Sequence, residues 1–186
     1  PSLTQDMTRE GIGQDERAKI DPTAQINVIP SRVIEAPSLV LGKQAIIRSG
    51  CAIYRGSTIG NRLNAGHHVI IREQNTIGHD FSVWSHSVID YSCKIGDRVK
   101  IHAGVYIAQY SVIEDDAFVA PGVVFTNDLV PGEALSANSL GGPRLGKAAQ
   151  IGARSVLLPN VDIGDDAFVG AGSVVTGNVP PGMVVA

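Results

Sequence analysis

Apolar residues recur at every sixth position along most of the chain. The first series fills fifteen successive positions, all large except Ala65: Leu41, Ile47, Ile53, Ile59, Ala65, Ile71, Ile77, Val83, Ile89, Ile95, Ile101, Ile107, Ile113, Val119 and Phe125. A second series, shifted in phase, follows at Ile151, Leu157, Ile163, Val169 and Val175. Neither the helical period of about 3.6 nor the alternation of a hairpin strand keeps a strict six over this length. The pattern therefore predicts a repeat protein.

Each six-residue unit, or hexad, is predicted to be a short strand followed by a corner. The residue four places after the large one is mostly small or β-branched, as at Ser57, Ser87 and Val105. Asn, Asp and Gly are frequent in the two places between, where tight turns need them. One hexad cannot bury its apolar row alone, so stacked coils must do so together.

This pattern resembles the hexapeptide repeat of the left-handed parallel β-helix, over about three quarters of the chain. The resemblance implies three hexads per triangular coil, so that residues 18 apart stack at about 4.8 Å. The left hand comes from the family, because the general crossover rule is right-handed. The predicted fold is all-β, with a polar N-terminal arm at 1–19 and a β-helix domain at 20–186. One long loop, rich in Gly, Pro, Ser and Asn, is predicted at 126–150.

Composition argues against nucleic-acid binding, a membrane span and a disulfide. A net charge of −3, with Lys and Arg scattered, provides no basic surface for nucleic acid, and no apolar run is long enough to cross a membrane. Cys51 and Cys93 both fall at inward small positions more than two coils apart, which is beyond disulfide reach. They are predicted to be core thiols, and a cytoplasmic protein is the default expectation.

Four of the five histidines fall in three stacked hexads, 65–70, 83–88 and 101–106. The 18-residue period predicts that His68 stacks on His86, that Trp84 lies beside His102, and that His67 faces Ser85. Two chemistries can use such a wall. A neutral imidazole can act as a general base next to an acyl thioester, or three histidines can hold zinc with one open position.

The zinc alternative resembles the gamma class of carbonic anhydrase, which places two ligand histidines five residues apart in one coil. Here the nearest pairs are His67/His68, which are adjacent, and His79/His86, which are seven apart. Neither pair matches that spacing, so no metal is expected. A third alternative is a non-catalytic trimeric scaffold, in which the wall serves only as an interface.

The stretches 93–101 and 112–128 resemble the sugar-nucleotide N-acetyltransferases, most closely those that acetylate the 3-amino group of a UDP-linked 2-acetamido-3-amino glucuronate. Residues 163–176 and 179–182 resemble hexapeptide acyltransferases in general. The resemblance implies an acetyl-CoA-dependent N-acetyltransferase acting on a nucleotide-linked sugar, with O-acetylation left open. It also implies a homotrimer in which acetyl-CoA lies in the groove between two prisms.

Site residues are predicted on this basis. The base is His67 or His86, with His68 and His102 as further catalytic candidates. The Trp84 indole is a candidate shelf for substrate, and the carboxylates of Glu73 and Asp90 are candidates to orient an imidazole or bind an amine. Asn127 and Asp128 are predicted to contact the acceptor, and Gly170, Ala171 and Gly172 are predicted to contact the cofactor.

Overall fold

The computed structural model of the protein describes residues 17–133 and 140–186. Within those ranges every regular element is a β-strand, no helix occurs, and every strand pairing is parallel. Residues 1–16 of the predicted polar arm lie outside the described part. The first strand already begins at Lys19.

The strands form three sheets, and successive strands up to β23 pass from the first sheet to the second and then to the third. The last strand, β24, lies again in the first sheet, and an isolated pairing of Val179 with Ile163 stands in the place of a third-sheet strand before it. The first sheet contains β1 (Lys19–Ile20), β4 (Ile46–Ile47), β7 (Asn64–Ala65), β10 (Ser82–Val83), β13 (Lys100–Ile101), β16 (Phe118–Val119), β19 (Gln150–Ile151), β22 (Phe168–Val169) and β24 (Val184–Val185). The second contains β2 (Gln25–Val28), β5 (Ala52–Tyr54), β8 (Ile70–Ile71), β11 (Val88–Ile89), β14 (Tyr106–Ile107), β17 (Val124–Phe125), β20 (Val156–Leu157) and β23 (Val174–Val175). The third contains β3 (Val40–Leu41), β6 (Thr58–Ile59), β9 (Thr76–Ile77), β12 (Lys94–Ile95), β15 (Val112–Ile113), β18 (Arg144–Leu145) and β21 (Asp162–Ile163).

The pairing register confirms the predicted 18-residue coil. Ser82 pairs with Asn64 on one side and with Lys100 on the other. Sheets of nine, eight and seven strands make about eight turns of a parallel β-solenoid, as the hexad pattern predicts, and the arrangement is consistent with the left-handed β-helix. The turns that follow the first, second and third sheets are called here the first, second and third corners.

The core is the stacked inward rows of the hexads. The large residue of nearly every hexad is buried, and Phe81 and Phe125 are the bulkiest of the fully enclosed side chains. Serines at the small inward positions satisfy their hydroxyls on the backbone: Ser57 Oγ donates to the Arg72 carbonyl at 2.8 Å, and Ser87 Oγ donates to the His102 carbonyl at 2.7 Å. Cys51 and Cys93 are buried and free, as predicted.

The interruption after Phe125 is shorter than predicted. Arg144–Leu145 forms strand β18, which pairs with β15 and β21 in the third sheet. The coil therefore resumes before the predicted boundary at 150. Leu145 lies 20 residues after Phe125, out of phase with the first series, but six residues before Ile151, so it belongs to the second series, which the prediction began one hexad too late. Residues 134–139 of the predicted loop lie outside the described residues.

Glycines at the third corner are required by the close stacking of coils. A Cβ added at Gly42 would lie 2.5 Å from the carbonyl carbon of Gly60, a backbone atom that cannot swing away. We expect Gly42→Ala to lower the free energy of unfolding by about 1–3 kcal/mol, the usual range for overpacking. Urea unfolding followed by circular dichroism measures this change.

Gly177→Ala is the matched control. Its added Cβ would meet nothing within 4 Å, and the residue has no positive φ. Equal midpoints for Gly42→Ala and the native chain would contradict the stacking argument.

Candidate functional site

The first corner carries the four histidines of the predicted wall. His67 and His68 follow β7, His86 follows β10, and His102 follows β13. The fifth histidine, His79, follows β9 at the third corner, and its Nδ1 accepts a hydrogen bond from the Asn61 backbone N–H at 2.9 Å. The structure therefore separates His79 from the others, as predicted.

His68 and His86 stack with their ring centroids 5.3 Å apart and their planes within 6° of parallel. Both lie in the left-handed backbone region, with φ of 55° and 61°. The next residue in this column is Gly104, where an added Cβ would meet nothing within 4 Å. The ring geometry confirms the predicted stack of His68 on His86, and Gly104, the next residue in the column, has no side chain to place on His86.

The neighbouring column is aromatic. The Trp84 and His102 rings are stacked, with centroids 4.4 Å apart and planes within 6° of parallel, and Phe118 packs against His102 at 5.3 Å. Trp84 is 40% exposed. This arrangement confirms the predicted contact, and the partly exposed indole remains a candidate shelf for a ligand.

His67 has the most constrained position of the four. Ser49 Oγ lies 2.7 Å from His67 Nδ1, and the His67 backbone N–H donates to Ser85 Oγ at 3.0 Å. The predicted facing of His67 and Ser85 is thus confirmed. The imidazole lines two adjoining surface depressions of about 230 Å³ and 320 Å³. One ring nitrogen is held by a serine, while the ring borders open space on either side.

The carboxylate of Glu73 is at the second corner and has no exposed surface. It accepts hydrogen bonds from Arg32 at 2.7 Å and from Arg72 at 2.9 and 3.0 Å. Burial raises the pKa of Glu73, but the hydrogen bonds from Arg72, from its own backbone and from Arg32 together lower it below the ordinary value. A carboxylate enclosed in this way has no surface to offer a substrate amine.

Asp90 belongs to the same second-corner cluster. Its carboxylate accepts hydrogen bonds from the Tyr106 hydroxyl and the Tyr91 backbone N–H, both at 2.8 Å, and lies 3.5 Å from Arg72. The guanidinium of Arg32 stacks on the Tyr91 ring, 3.6 Å from its centroid. Burial, and then the bond to Asp90, raise the pKa of Tyr106. These contacts favour a structural role for the cluster over the predicted contact of Glu73 and Asp90 with substrate.

Asn127 and Asp128 also lie at the second corner, away from the histidines in the same chain. Asn127 Nδ2 donates to Gln109 Oε1 at 2.6 Å, and Asp128 Oδ1 accepts from the Val130 backbone N–H at 2.9 Å. Within a single chain the structure therefore does not bring these two residues to the histidine wall. Their place at the acceptor stays a prediction that requires a second copy.

Gly170, Ala171 and Gly172 do lie at the first corner, in the turn after β22. Gly172 faces open space, whereas a Cβ on Gly170 would come within 2.9 Å of Ala186, so packing alone accounts for that glycine. Gly170 stands three coils beyond His102, which is about 14 Å at the spacing of parallel strands. Apart from the exposed Arg154, the intervening first-corner residues are small or cyclic: Ala103, Gly104, Ala120, Pro121, Gly122, Gly152 and Ala153.

Sequence reasoning overlooked two neighbours of His67. Ser49 stands 18 residues before it, and the stacking rule that linked His67 to Ser85 also places Ser49 against its other side. Arg48 lines both depressions, but an isolated arginine carries no pattern that distinguishes it from a solvated one. Only its contacts, described below, do so.

Metal binding receives no support from the described residues: 17–133 and 140–186 hold no group of three His, Cys, Asp or Glu side chains able to share one ion. In the same ranges, no helix is both long and apolar enough to span a bilayer.

The fold and its repeats define a parallel β-solenoid of hexapeptide type. Residues 92–127 and 142–177, together less than half of the chain, match the family described as "Bacterial transferase hexapeptide (six repeats)". No protein of curated function matches the chain.

Solved structures with a similar backbone fold include the following three. The acetyltransferase domain of PglB from Neisseria gonorrhoeae FA1090, in complex with acetyl coenzyme A, is 14% identical over 74% of this chain and 55% of its own, with a TM-score of 0.44. UDP-N-acetylglucosamine O-acyltransferase (LpxA) from Moraxella catarrhalis RH4 is 21% identical, with 88% of this chain and 66% of its own chain covered and a TM-score of 0.47. PerB from Caulobacter crescentus, in complex with CoA and GDP-perosamine, is 23% identical, with 90% of this chain and 53% of its own chain covered and a TM-score of 0.34. The chain thus spans less than two thirds of each, and likenesses at this level carry no inference about its activity.

Proposed function

We propose that the protein is an acyltransferase that moves an acetyl group from acetyl-CoA to an amino group of a nucleotide-linked sugar. The observation that carries the proposal is the Ser49–His67 hydrogen bond beside two open depressions. The match of two segments to a family of bacterial transferases supports the same class of reaction.

His67 is the proposed general base. Base catalysis requires the tautomer in which Nδ1–H donates to Ser49 Oγ, because the lone pair then resides on Nε2. Nε2 removes the proton as the acceptor amine attacks the thioester carbonyl carbon. The tetrahedral intermediate then collapses, the C–S bond breaks, and CoA leaves with the proton on its sulfur. A sugar hydroxyl could be activated in the same way, so N-acetylation is the proposal and O-acetylation its variant.

The first corner supplies the proposed track for CoA. Small residues from Ala103 to Gly172 leave this edge of the prism without projecting side chains, except for the exposed Arg154. A straight chain such as pantetheine can lie along it and bring its thioester to the Trp84–His102 stack. Gly172, with φ of 75° and open space around it, fits close approach of a ligand.

A homotrimer is proposed from the outward faces of the three sheets. The outward column of the second sheet has no charged residue: Gln25, Ala52, Ile70, Val88, Tyr106, Val124, Val156 and Val174. The corresponding columns of the other two sheets include Lys19, Lys100, Lys94, Arg144 and Asp162. An uncharged face of this length suits contact with further copies of the chain.

This packing would also complete the site. The second sheet runs from the first corner to the second, so copies whose second sheets face a threefold axis set the first corner of one beside the second corner of the next. In that arrangement Asn127 and Asp128 of a neighbouring copy approach the histidine wall. The proposed active site therefore lies between subunits.

A charge placed in the apolar column should dissociate the trimer. We expect Val88→Lys to convert a trimer into a monomer at micromolar concentration, because each copy would bury an unpaired ammonium. Sedimentation velocity measures the mass. Val112→Lys, at the corresponding place on the third sheet, is the control and should stay trimeric. A native chain that sediments as a monomer would contradict the interface.

Thiol release from acetyl-CoA tests the activity. The native chain is incubated with acetyl-CoA and a panel of nucleotide-linked amino sugars, and free CoA is titrated with a thiol reagent. Release that depends on one of these acceptors supports the proposal. No release with any of them, from a correctly assembled trimer, would favour the scaffold alternative.

A further inference from the structure

Arg48 differs from most arginines in the structure because it has no acidic partner. Five other arginines form ion pairs with carboxylates within 4.0 Å: Arg32, Arg62, Arg72, Arg98 and Arg144. In the described part of the chain Arg48 has none, and its Nη1 instead donates to two neutral acceptors. These are Asn64 Oδ1 at 2.8 Å and the Ala65 carbonyl at 3.1 Å.

This arrangement fixes the guanidinium without neutralising it. Nη1 accounts for two of the five N–H donors of an arginine, which leaves three on Nε and Nη2. The side chain is half-buried, so its rotamers are already restricted before any ligand arrives. A planar, oriented and uncompensated guanidinium is suited to bidentate recognition of a carboxylate or phosphate.

The surroundings of Arg48 keep the site cationic. Arg48 and His67 line both depressions, and Lys19 and Asp21 line the second. Asp21 accepts hydrogen bonds from the hydroxyl and backbone N–H of Thr23, at 2.6 and 2.9 Å, and these lower its pKa. The single carboxylate in these two linings is therefore bonded to its own turn through Oδ1, and it also interacts electrostatically with His67. Among the described residues it forms no ion pair with Arg48, and Arg48 and Lys19 both line the open depressions.

We propose that Arg48 forms an anion subsite that binds a negatively charged group of the acceptor and holds it beside His67. The inference rests on the proposed function, because the ligand is the sugar-nucleotide acceptor named there. The group that binds Arg48 is either a carboxylate on the sugar or the diphosphate. The shared chemistry is a pair of anionic oxygens on the guanidinium. No contact with CoA is required.

Titration calorimetry with UDP-glucuronate and UDP-glucose tests the subsite, because these two ligands differ by the carboxylate. We expect Arg48→Gln to weaken binding of UDP-glucuronate at least tenfold, and Arg48→Lys to recover part of that loss. If the carboxylate is the bound group, the preference for UDP-glucuronate over UDP-glucose disappears in Arg48→Gln. If the diphosphate is bound, both ligands weaken by the same factor.

Lys43→Gln is the matched control, since Lys43 also lacks a carboxylate partner among the described residues but lies at the third corner, away from the proposed contact between copies. Native affinity in Arg48→Gln, an equal loss in Lys43→Gln, or no binding of either ligand by the native chain would overturn the subsite. Arg48-dependent binding in a chain that never releases CoA would refute only the acetyltransferase. Acetyl transfer with an unchanged acceptor KM in Arg48→Gln would refute only the subsite.

Discussion

Replacing His67 with alanine is expected to lower kcat for acetyl transfer by about 10²–10⁴-fold, the usual contribution of a general base. The substitution removes the imidazole whose Nδ1 lies 2.7 Å from Ser49 Oγ. The His67 side chain is exposed, so the melting temperature should stay within a degree or two of the native value. Initial rates of thiol release at saturating acetyl-CoA measure the effect.

Three companion variants sharpen the His67 experiment. Ser49→Ala should reduce kcat less than His67→Ala, because it frees the ring without removing it, and it should alter the pH profile of kcat. His79→Ala, at the third corner, should leave kcat unchanged. A loss of kcat confined to His86→Ala would assign the base to His86. More than one tenth of native turnover in both His67→Ala and His86→Ala would refute both residues as the base.

Removing the buried carboxylate of Glu73 should have the largest effect on stability. Glu73→Ala leaves the guanidinium groups of Arg32 and Arg72 without their shared partner at the second corner. We expect a cost of about 3 kcal/mol, the lower end of the range for breaking a buried pair, because both guanidinium groups keep part of their surface in water and Arg72 keeps Asp90 at 3.5 Å. Urea unfolding at neutral pH measures the loss of stability. The control is Glu35→Ala, because Glu35 is an exposed carboxylate in the connection between β2 and β3 that also carries Arg32, and this variant should change stability by less than about 0.5 kcal/mol.

The same carboxylate predicts a pH dependence with a definite sign. The folded-state pKa of Glu73 is lowered below 4.5, so its contribution is present above the unfolded-state value and is lost as the pH falls through the folded-state value. The native chain should therefore lose stability in acid more steeply than Glu73→Ala. Native-like stability of Glu73→Ala together with weaker acceptor binding would instead support the contact with substrate predicted from the sequence.

The hexad pattern predicted much of the fold because burial leaves it little freedom. A short strand with two inward residues cannot exclude water by itself, so the six-residue period implies stacked coils, and the stacking rule implies that residues 18 apart touch. His68 on His86 and Trp84 on His102 follow from that rule and are confirmed. Strand β18 was not predicted because the second series was taken to begin at Ile151, although Leu145, six residues earlier, already belongs to it.

The candidate site could be predicted only in part. Glu73 was predicted to orient an imidazole or bind an amine, yet Arg32, 41 residues earlier in an irregular connection, reaches across and bonds to its carboxylate. The hexad period does not predict which coil residues a side chain of this irregular connection will contact. Arg48 gave no signal in the sequence, because an unpaired guanidinium becomes evident only when the partners of all the others are known.

The sequence by itself determined the period, the inward rows and the corner that carries His67, since these depend on local spacing and on the need to bury apolar side chains. The tertiary structure alone decided which polar groups are neutralised. Glu73 lies within reach of two guanidinium groups, whereas the acceptors that Arg48 meets among the described residues are both neutral. The physical reason is that hydrogen bonds and charge pairs act over a few ångströms, so they depend on the final position of segments that are distant in the chain.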